Sequence, residues 1–293
     1  MTLKIILKAI KPFRLISMVT TYILGAGLVQ YLKSTQDWSQ WIAGIFFVLF
    51  SGLTVELMRL LKRLTKPSHW PEGIKFKEVK VTRLALLGLI ATFMTISLSI
   101  FMSWMISGVL WQGLVVLVIL LLIDGAFYYL CEESSPLKPY QLLFEGLFYV
   151  ILPPAFAYFL QSDEVHVFLT LVVICLVPAY LAMRLLIQIQ HFGIDRQWDD
   201  QSIVTKIGWE RAMTFHNALI LLTFVFFAMI VFFGFPWFIL WPVFLALPIG
   251  LVEVWLMERV RRGGKPMWLL MKVATASVLF IPVYLLSFAF WVR

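Results

Sequence analysis

Apolar residues along this chain run in windows of about twenty, each long enough to cross a bilayer core as a helix. The windows fall at 13–33, 40–61, 83–106, 109–130, 140–161, 166–190, 212–233, 237–257 and 268–291. The pattern predicts nine membrane-spanning helices and an all-α polytopic architecture. Two joints are tight. Ser107 and Gly108 separate the third and fourth windows, and Gly234 with Pro236 separates the seventh and eighth, where proline breaks the helical hydrogen-bond ladder. Two connections are long, about 62–82 and 191–211. They follow spans of equal orientation about 130 residues apart, which suggests a four-helix repeat with a cap loop on each half; connections of this length are usually functional or disordered.

Composition supports a single integral membrane domain over 1–293. Of the 293 residues 61% are hydrophobic and 14% charged, whereas a soluble domain carries roughly 25% charged residues. No polar linker divides the apolar blocks. The net charge of +8 lies in segments that flank the spans, a pattern suited to anionic lipid headgroups or a phosphorylated lipid and not to nucleic acid. The nine-span reading places every lysine and arginine except Lys33 and Arg293 on one face, which the positive-inside rule makes cytoplasmic. The N-terminus and both cap loops are therefore expected in the cytoplasm and the C-terminus on the opposite side. The first apolar window has the length of a full span and reads as a retained helix. Cys131 and Cys175 lack metal or disulfide spacing.

Candidate chemistry gathers on the cytoplasmic side. His191, Asp195, Arg196, Asp199 and Asp200 follow the sixth span. On a continuing helix Asp195 and Asp199 share a face one turn apart. Paired carboxylates suit Mg²⁺, which commonly bridges protein carboxylates to substrate phosphates; a solvated loop in which Arg196 pairs with an aspartate is the other reading. Ionisable residues within spans require a partner or a cavity. Asp124, Glu145 and Arg184 can neutralise one another between helices. Glu56 and Arg59, in the last turns of the second span, are either a second part of the site or an i, i+3 ion pair. Glu253 lies within the eighth span, and His166 and His216, near span ends, read as interfacial histidines. There is no nucleophile triad, phosphate-binding glycine loop, Cys-x-x-Cys or HExxH motif.

Local sequence then resembles a known family. Ser135-Pro136-Leu137-Lys138, Phe144-Glu145-Gly146 and Leu152-Pro153-Pro154 through Tyr158 and Gln161 look like the Pro-Pro-Leu-Arg, Gly-Glu and Tyr-x-x-Gln run of the UbiA-type intramembrane prenyltransferases. Asp195-Arg196-Gln197-Trp198-Asp199, followed by Ser202-Ile203-Val204-Thr205-Lys206-Ile207-Gly208, looks like that family's second aspartate motif and the segment after it. Where the family has an Asn and two Asp in the second span, this chain has Glu56, Arg59 and Lys62. His191 stands in place of the Asn four residues before Asp195.

The resemblance implies a UbiA-like bundle with a lateral cavity for an isoprenoid chain, closed by the cytoplasmic caps. It further implies ionisation of an isoprenoid diphosphate with Mg²⁺ and transfer of the prenyl group to a lipophilic acceptor, an alkyl-transferase activity. On this reading Asp195 and Asp199 are catalytic, and Asp195, Asp199, Asp200 and Glu56 are metal ligands. Arg59, Lys62, Arg196, Lys206 and His191 contact the substrate. Three alternatives remain open: a terpene cyclase in the same cavity, a non-catalytic lipid- or partner-binding relative whose first motif decayed, and a transporter using midplane charges.

Overall fold

A polar residue begins the second helix, and its geometry shows how the spans are delimited. Asp37 Oδ1 accepts hydrogen bonds from the Ser39 hydroxyl at 2.6 Å, the Ser39 N–H at 2.9 Å and the Gln40 N–H at 3.4 Å, satisfying donors that a helix N-terminus otherwise leaves unpaired. The computed structural model describes residues 12–33, 37–65, 76–106, 115, 119, 122–123, 140–162, 166–197 and 202–292. They form α1 (Pro12–Lys33), α2 (Trp38–Thr65), α3 (Phe76–Ile106), α4 (Gln141–Phe159) and α5 (Val167–Gln197). A one-turn α6 (Ile203–Ile207) then leads into α7 (Trp209–Phe233), α8 (Trp237–Arg261) and α9 (Trp268–Val292).

All of these except α6 contain a stretch long and apolar enough to cross a membrane, giving eight candidate spans among the described residues. They coincide with eight of the nine predicted windows. The window at 109–130, which includes Asp124, lies almost entirely outside the described residues, as do 66–75 of the first expected cap. Of the second expected cap, 191–197 are the last turns of α5, 203–207 are α6, and α7 begins at Trp209.

Helices α1, α5 and α9 form the centre. α1 packs on α2, α4 and α9, while α5 packs on α4, α7 and α9, and α8 bridges α7 and α9. Tyr22, Tyr149, Tyr180, Phe156, Phe227 and Phe290 are among the side chains filling this core. The outward surface is apolar too, with Leu84, Phe232, Leu269 and Tyr284 all exposed, as expected of side chains that meet lipid.

Close approach of α1 and α4 depends on Gly25, where a Cβ would stand 2.3 Å from the Pro154 carbonyl oxygen. The Gly234 and Pro236 joint forms as expected. Gly234 adopts φ 85°, donates its N–H to Val231 O at 3.0 Å, and the Phe235 N–H reaches Ile230 O at 3.3 Å; this left-handed turn is one glycine enters without strain.

Candidate functional site

The local backbone of α4 is set by two prolines. Pro153 and Pro154 lack N–H donors, and in a regular helix Pro153 would crowd the Tyr149 carbonyl four residues back. The chain widens into a π-turn over Leu147–Ile151. The Tyr149 carbonyl instead faces the Thr21 hydroxyl of α1 at 3.3 Å, a long secondary contact of a hydroxyl whose short bond, 2.7 Å, goes to the Ser17 carbonyl. Such π segments recur at functional sites, and this one places the Tyr149 side chain at the centre of a buried cluster of charge.

Four helices contribute to that cluster: Arg14 from α1, Glu56 and Arg59 from α2, Glu145 and Tyr149 from α4, and Arg184 and Tyr180 from α5. None is more than 9% exposed. Glu56 Oε1 receives Arg14 Nη1 at 2.7 Å, Arg59 Nη1 at 2.8 Å and the Tyr149 hydroxyl at 2.8 Å. Glu145 Oε1 receives Arg14 Nη2 at 2.5 Å and the Gln141 amide at 3.4 Å, and Glu145 Oε2 pairs with Arg184 Nε. The Arg14 and Arg59 guanidiniums lie 5.8 and 5.9 Å from the Tyr149 ring centroid, within cation–π range. Tyr180 stacks on Tyr149 at 6.1 Å. Charge-assisted bonds of this kind are about twice as strong as neutral ones, and at membrane depth such groups rely on one another for solvation.

The sequence-predicted residues divide accordingly. Glu56 and Arg59 enter the cluster. Lys62 lies one turn further along α2, half-buried. His191 is exposed, with Nδ1 2.7 Å from the Ile187 carbonyl of its own helix. Lys206 holds its ammonium 5.5 Å from the Tyr140 ring. Its segment folds as a helical turn capped by Ser202, whose hydroxyl accepts from the Thr205 N–H at 3.3 Å, and it ends at Gly208. Asp195 and Arg196 belong to the last turn of α5, their side chains lying outside the described residues, as do Asp199 and Asp200 altogether. Glu145 and Arg184 pair as one sequence reading allowed, with Arg14 as the added member. Arg14, Tyr149 and Tyr180 were not singled out from sequence. The available signal was the stripe Arg14, Ser17, Thr21 and Gly25 on α1, polar or small at helical spacing.

His216 corrects an expectation. It is fully buried, not interfacial, because α7, α8 and α9 close over it. Its Nε2 lies 3.7 Å from Glu253 Oε1, and neither that nitrogen nor either Glu253 carboxylate oxygen has a hydrogen-bond partner. Thr275, also buried, gives its hydroxyl proton to Met271 O at 2.9 Å.

Divalent metal does not fit the α2 side of the charged cluster. One Glu56 oxygen already takes three donors, two of them guanidinium. At an effective dielectric of about 20, two guanidiniums roughly 5 Å from Mg²⁺ repel it by about 13 kcal/mol together, which cancels the attraction of one adjacent carboxylate. Among the described residues no group of three or more His, Cys, Asp or Glu could hold a metal ion. At the end of α5 the helix continues to Gln197, which puts the backbone of Asp195 in its last turn; a carboxylate there is a donor of the kind Mg²⁺ prefers.

No family model matches the sequence, and no curated protein matches it. Solved structures do. A UbiA homolog from Aeropyrum pernix K1 superposes with a TM-score of 0.60 at 13% identity, covering 96% of this chain and 98% of that one. A UbiA homolog from Archaeoglobus fulgidus bound to GPP and Mg²⁺ gives 0.58 at 11% identity, covering 96% and 99%. A digeranylgeranylglyceryl phosphate synthase gives 0.54 at 17% identity, covering 99% and 98%.

Proposed function

From the fold it shares with these UbiA homologues, we propose that this integral, multi-pass membrane protein is a divergent intramembrane prenyltransferase acting on an isoprenoid diphosphate. The observation that carries the reading is the joint presence of that fold over nearly the whole chain and a buried, guanidinium-rich cluster at one end of the bundle. In one of the superposed structures a UbiA homolog holds GPP and Mg²⁺.

In the reaction the bond between the allylic carbon and the diphosphate oxygen breaks, and its electron pair leaves with the diphosphate. A nucleophilic atom of a lipophilic acceptor captures the allylic cation, and its proton passes to the released diphosphate. Mg²⁺ supplies charge neutralisation for the leaving group, and Asp195 and Asp199, with Asp200 alongside, are the residues that would hold it. This chain's own contribution is positional. Arg14 and Arg59, locked by Glu56 and Glu145, present fixed positive charge where the leaving oxygens accumulate negative charge, and preorganised charge in a dry site is the most effective electrostatic aid to ionisation. The packed helices keep out water, which would otherwise quench the cation. Arg196, Lys206, Lys62 and His191 stand on segments at the same end of the bundle as secondary contacts for diphosphate oxygens. In this topology that end is cytoplasmic.

The saturation of Glu56 favours a second reading, a non-catalytic protein of the same fold that binds lipid or a partner; a terpene cyclase of that fold is a further alternative. Diphosphate release separates them. Purified protein in nanodiscs, given geranyl, farnesyl and geranylgeranyl diphosphate with Mg²⁺ and a membrane-lipid extract as the source of acceptor, is expected to release inorganic diphosphate, and Asp195→Ala or Asp199→Ala to abolish the release. The organic product then distinguishes transfer from cyclisation. No release above the variants from folded protein, with any of the three donors, would support the non-catalytic reading.

A further inference from the structure

Resting on the proposed function, we infer that the α2 side of the diphosphate site is built from guanidinium in place of metal, with Arg14 and Tyr180 as anion donors and Glu56 and Glu145 as positioning residues. Arg14 is only 4% exposed. Its two terminal nitrogens are committed to carboxylates on two different helices, at 2.7 Å to Glu56 and 2.5 Å to Glu145, which fixes the plane of the guanidinium. Its Nε–H is buried without a partner, as is the hydroxyl of fully buried Tyr180. Buried donors are rarely left unpaired, and each demands an acceptor. Both belong to the group around Tyr149, within 5.8 and 6.1 Å of its ring centroid. A phosphate oxygen is an acceptor of the right charge for a fixed guanidinium.

The same geometry assigns Glu56. With two guanidiniums and a phenol on one oxygen, it orients cations and does not recruit one. Any metal is then held by carboxylates other than Glu56, and the diphosphate retains a metal-independent component of binding.

The test measures binding of geranylgeranyl diphosphate and of inorganic diphosphate to the full chain in phosphatidylcholine nanodiscs, with Mg²⁺ or with EDTA. Binding is expected in EDTA with Kd within about tenfold of the Mg²⁺ value, a single bond's worth of affinity. Arg14→Gln should weaken it about tenfold or more in both media. Tyr180→Phe, which removes only an unpartnered hydroxyl and leaves the fold intact, should weaken it about three- to tenfold in both. Glu56→Gln should weaken binding equally with and without Mg²⁺; loss confined to the Mg²⁺ condition would make Glu56 a ligand and overturn the inference. Binding in Mg²⁺ alone would overturn it while leaving the proposed function intact. Absence of binding in both media would remove the proposed function and the inference with it. Affinity unchanged on replacing phosphatidylcholine with phosphatidylglycerol supports a free diphosphate. Displacement by phosphatidylglycerol would assign the donors to a headgroup phosphate and overturn the inference.

Discussion

Arg14 shows how much a single side chain can join: its guanidinium bonds carboxylates from two other helices and lies over the Tyr149 ring. Glu145→Gln, which leaves both Arg14 and Arg184 short of a counter-charge, is expected to destabilise the protein by about 3–5 kcal/mol, the usual penalty for breaking a buried ion pair on one side. Thermal unfolding in detergent should show the loss as a clear fall in Tm, and an unchanged Tm would mean the cluster holds nothing together. Glu253 predicts the opposite. Its carboxylate oxygens accept no hydrogen bond, so Glu253→Gln keeps the shape and should leave Tm unchanged or raised in the same assay. Sequence spacing was enough to mark Glu56 with Arg59, and Glu145 with Arg184, because each is a charge inside an apolar run. Arg14 was hidden at the start of the first span, where an arginine reads as a topology marker; its partners are 42 and 131 residues away, and no local pattern encodes them.

Among elements, the junction of α1 and α4 sets one helix backbone directly against another at Gly25 and Pro154. Gly25→Val places side-chain atoms against the Pro154 backbone, which cannot withdraw, and should separate the two helices. The expected outcome is loss of the monodisperse folded peak in size-exclusion chromatography, whereas Thr21→Val, which forfeits the hydroxyl's hydrogen bond to the Ser17 carbonyl and its longer contact with the Tyr149 carbonyl, should cost about 1 kcal/mol. At the opposite end of the bundle Asp37 anchors α2, and Gln161 clasps it, accepting from the Asp37 N–H at 3.0 Å and donating to the Asp37 carbonyl at 2.9 Å. The hydrogen bond from the Ser39 hydroxyl, aided by backbone N–H groups, holds the Asp37 carboxyl below the usual carboxylate range. Its contribution is therefore complete above the ordinary carboxyl pKa and is lost as pH falls through the lowered value. The hydrogen-exchange protection factor of the first turn of α2, corrected for the intrinsic pH dependence of exchange, should accordingly be flat from neutral to mildly acidic pH and fall only in stronger acid, a dependence that Asp37→Asn removes. Window arithmetic located the spans well because bilayer thickness fixes their length. It ended the sixth at 190, since hydropathy drops at the polar residues from His191 onward, while the backbone ladder of α5 continues for two more turns to Gln197.

For the whole molecule, the crowding of basic residues on one face makes a topological prediction. In a background with Cys131 and Cys175 replaced by serine, Lys265→Cys in the exposed turn between α8 and α9 should react with an impermeant maleimide only from the cytoplasmic side. Ser39→Cys, exposed at the start of α2, should react only from the other side. The fold was legible because all-helical architecture follows from span count and composition. The division of the site was not: an arginine-for-metal exchange depends on which charges meet across helices far apart in sequence. The most direct test of the whole account is a cryo-EM structure in nanodiscs with a non-hydrolysable geranylgeranyl thiolodiphosphate and Mg²⁺. Diphosphate density within hydrogen-bonding distance of Arg14, with metal density only toward the end of α5, is the predicted result; a metal bound to Glu56, or diphosphate density away from Arg14, would contradict it.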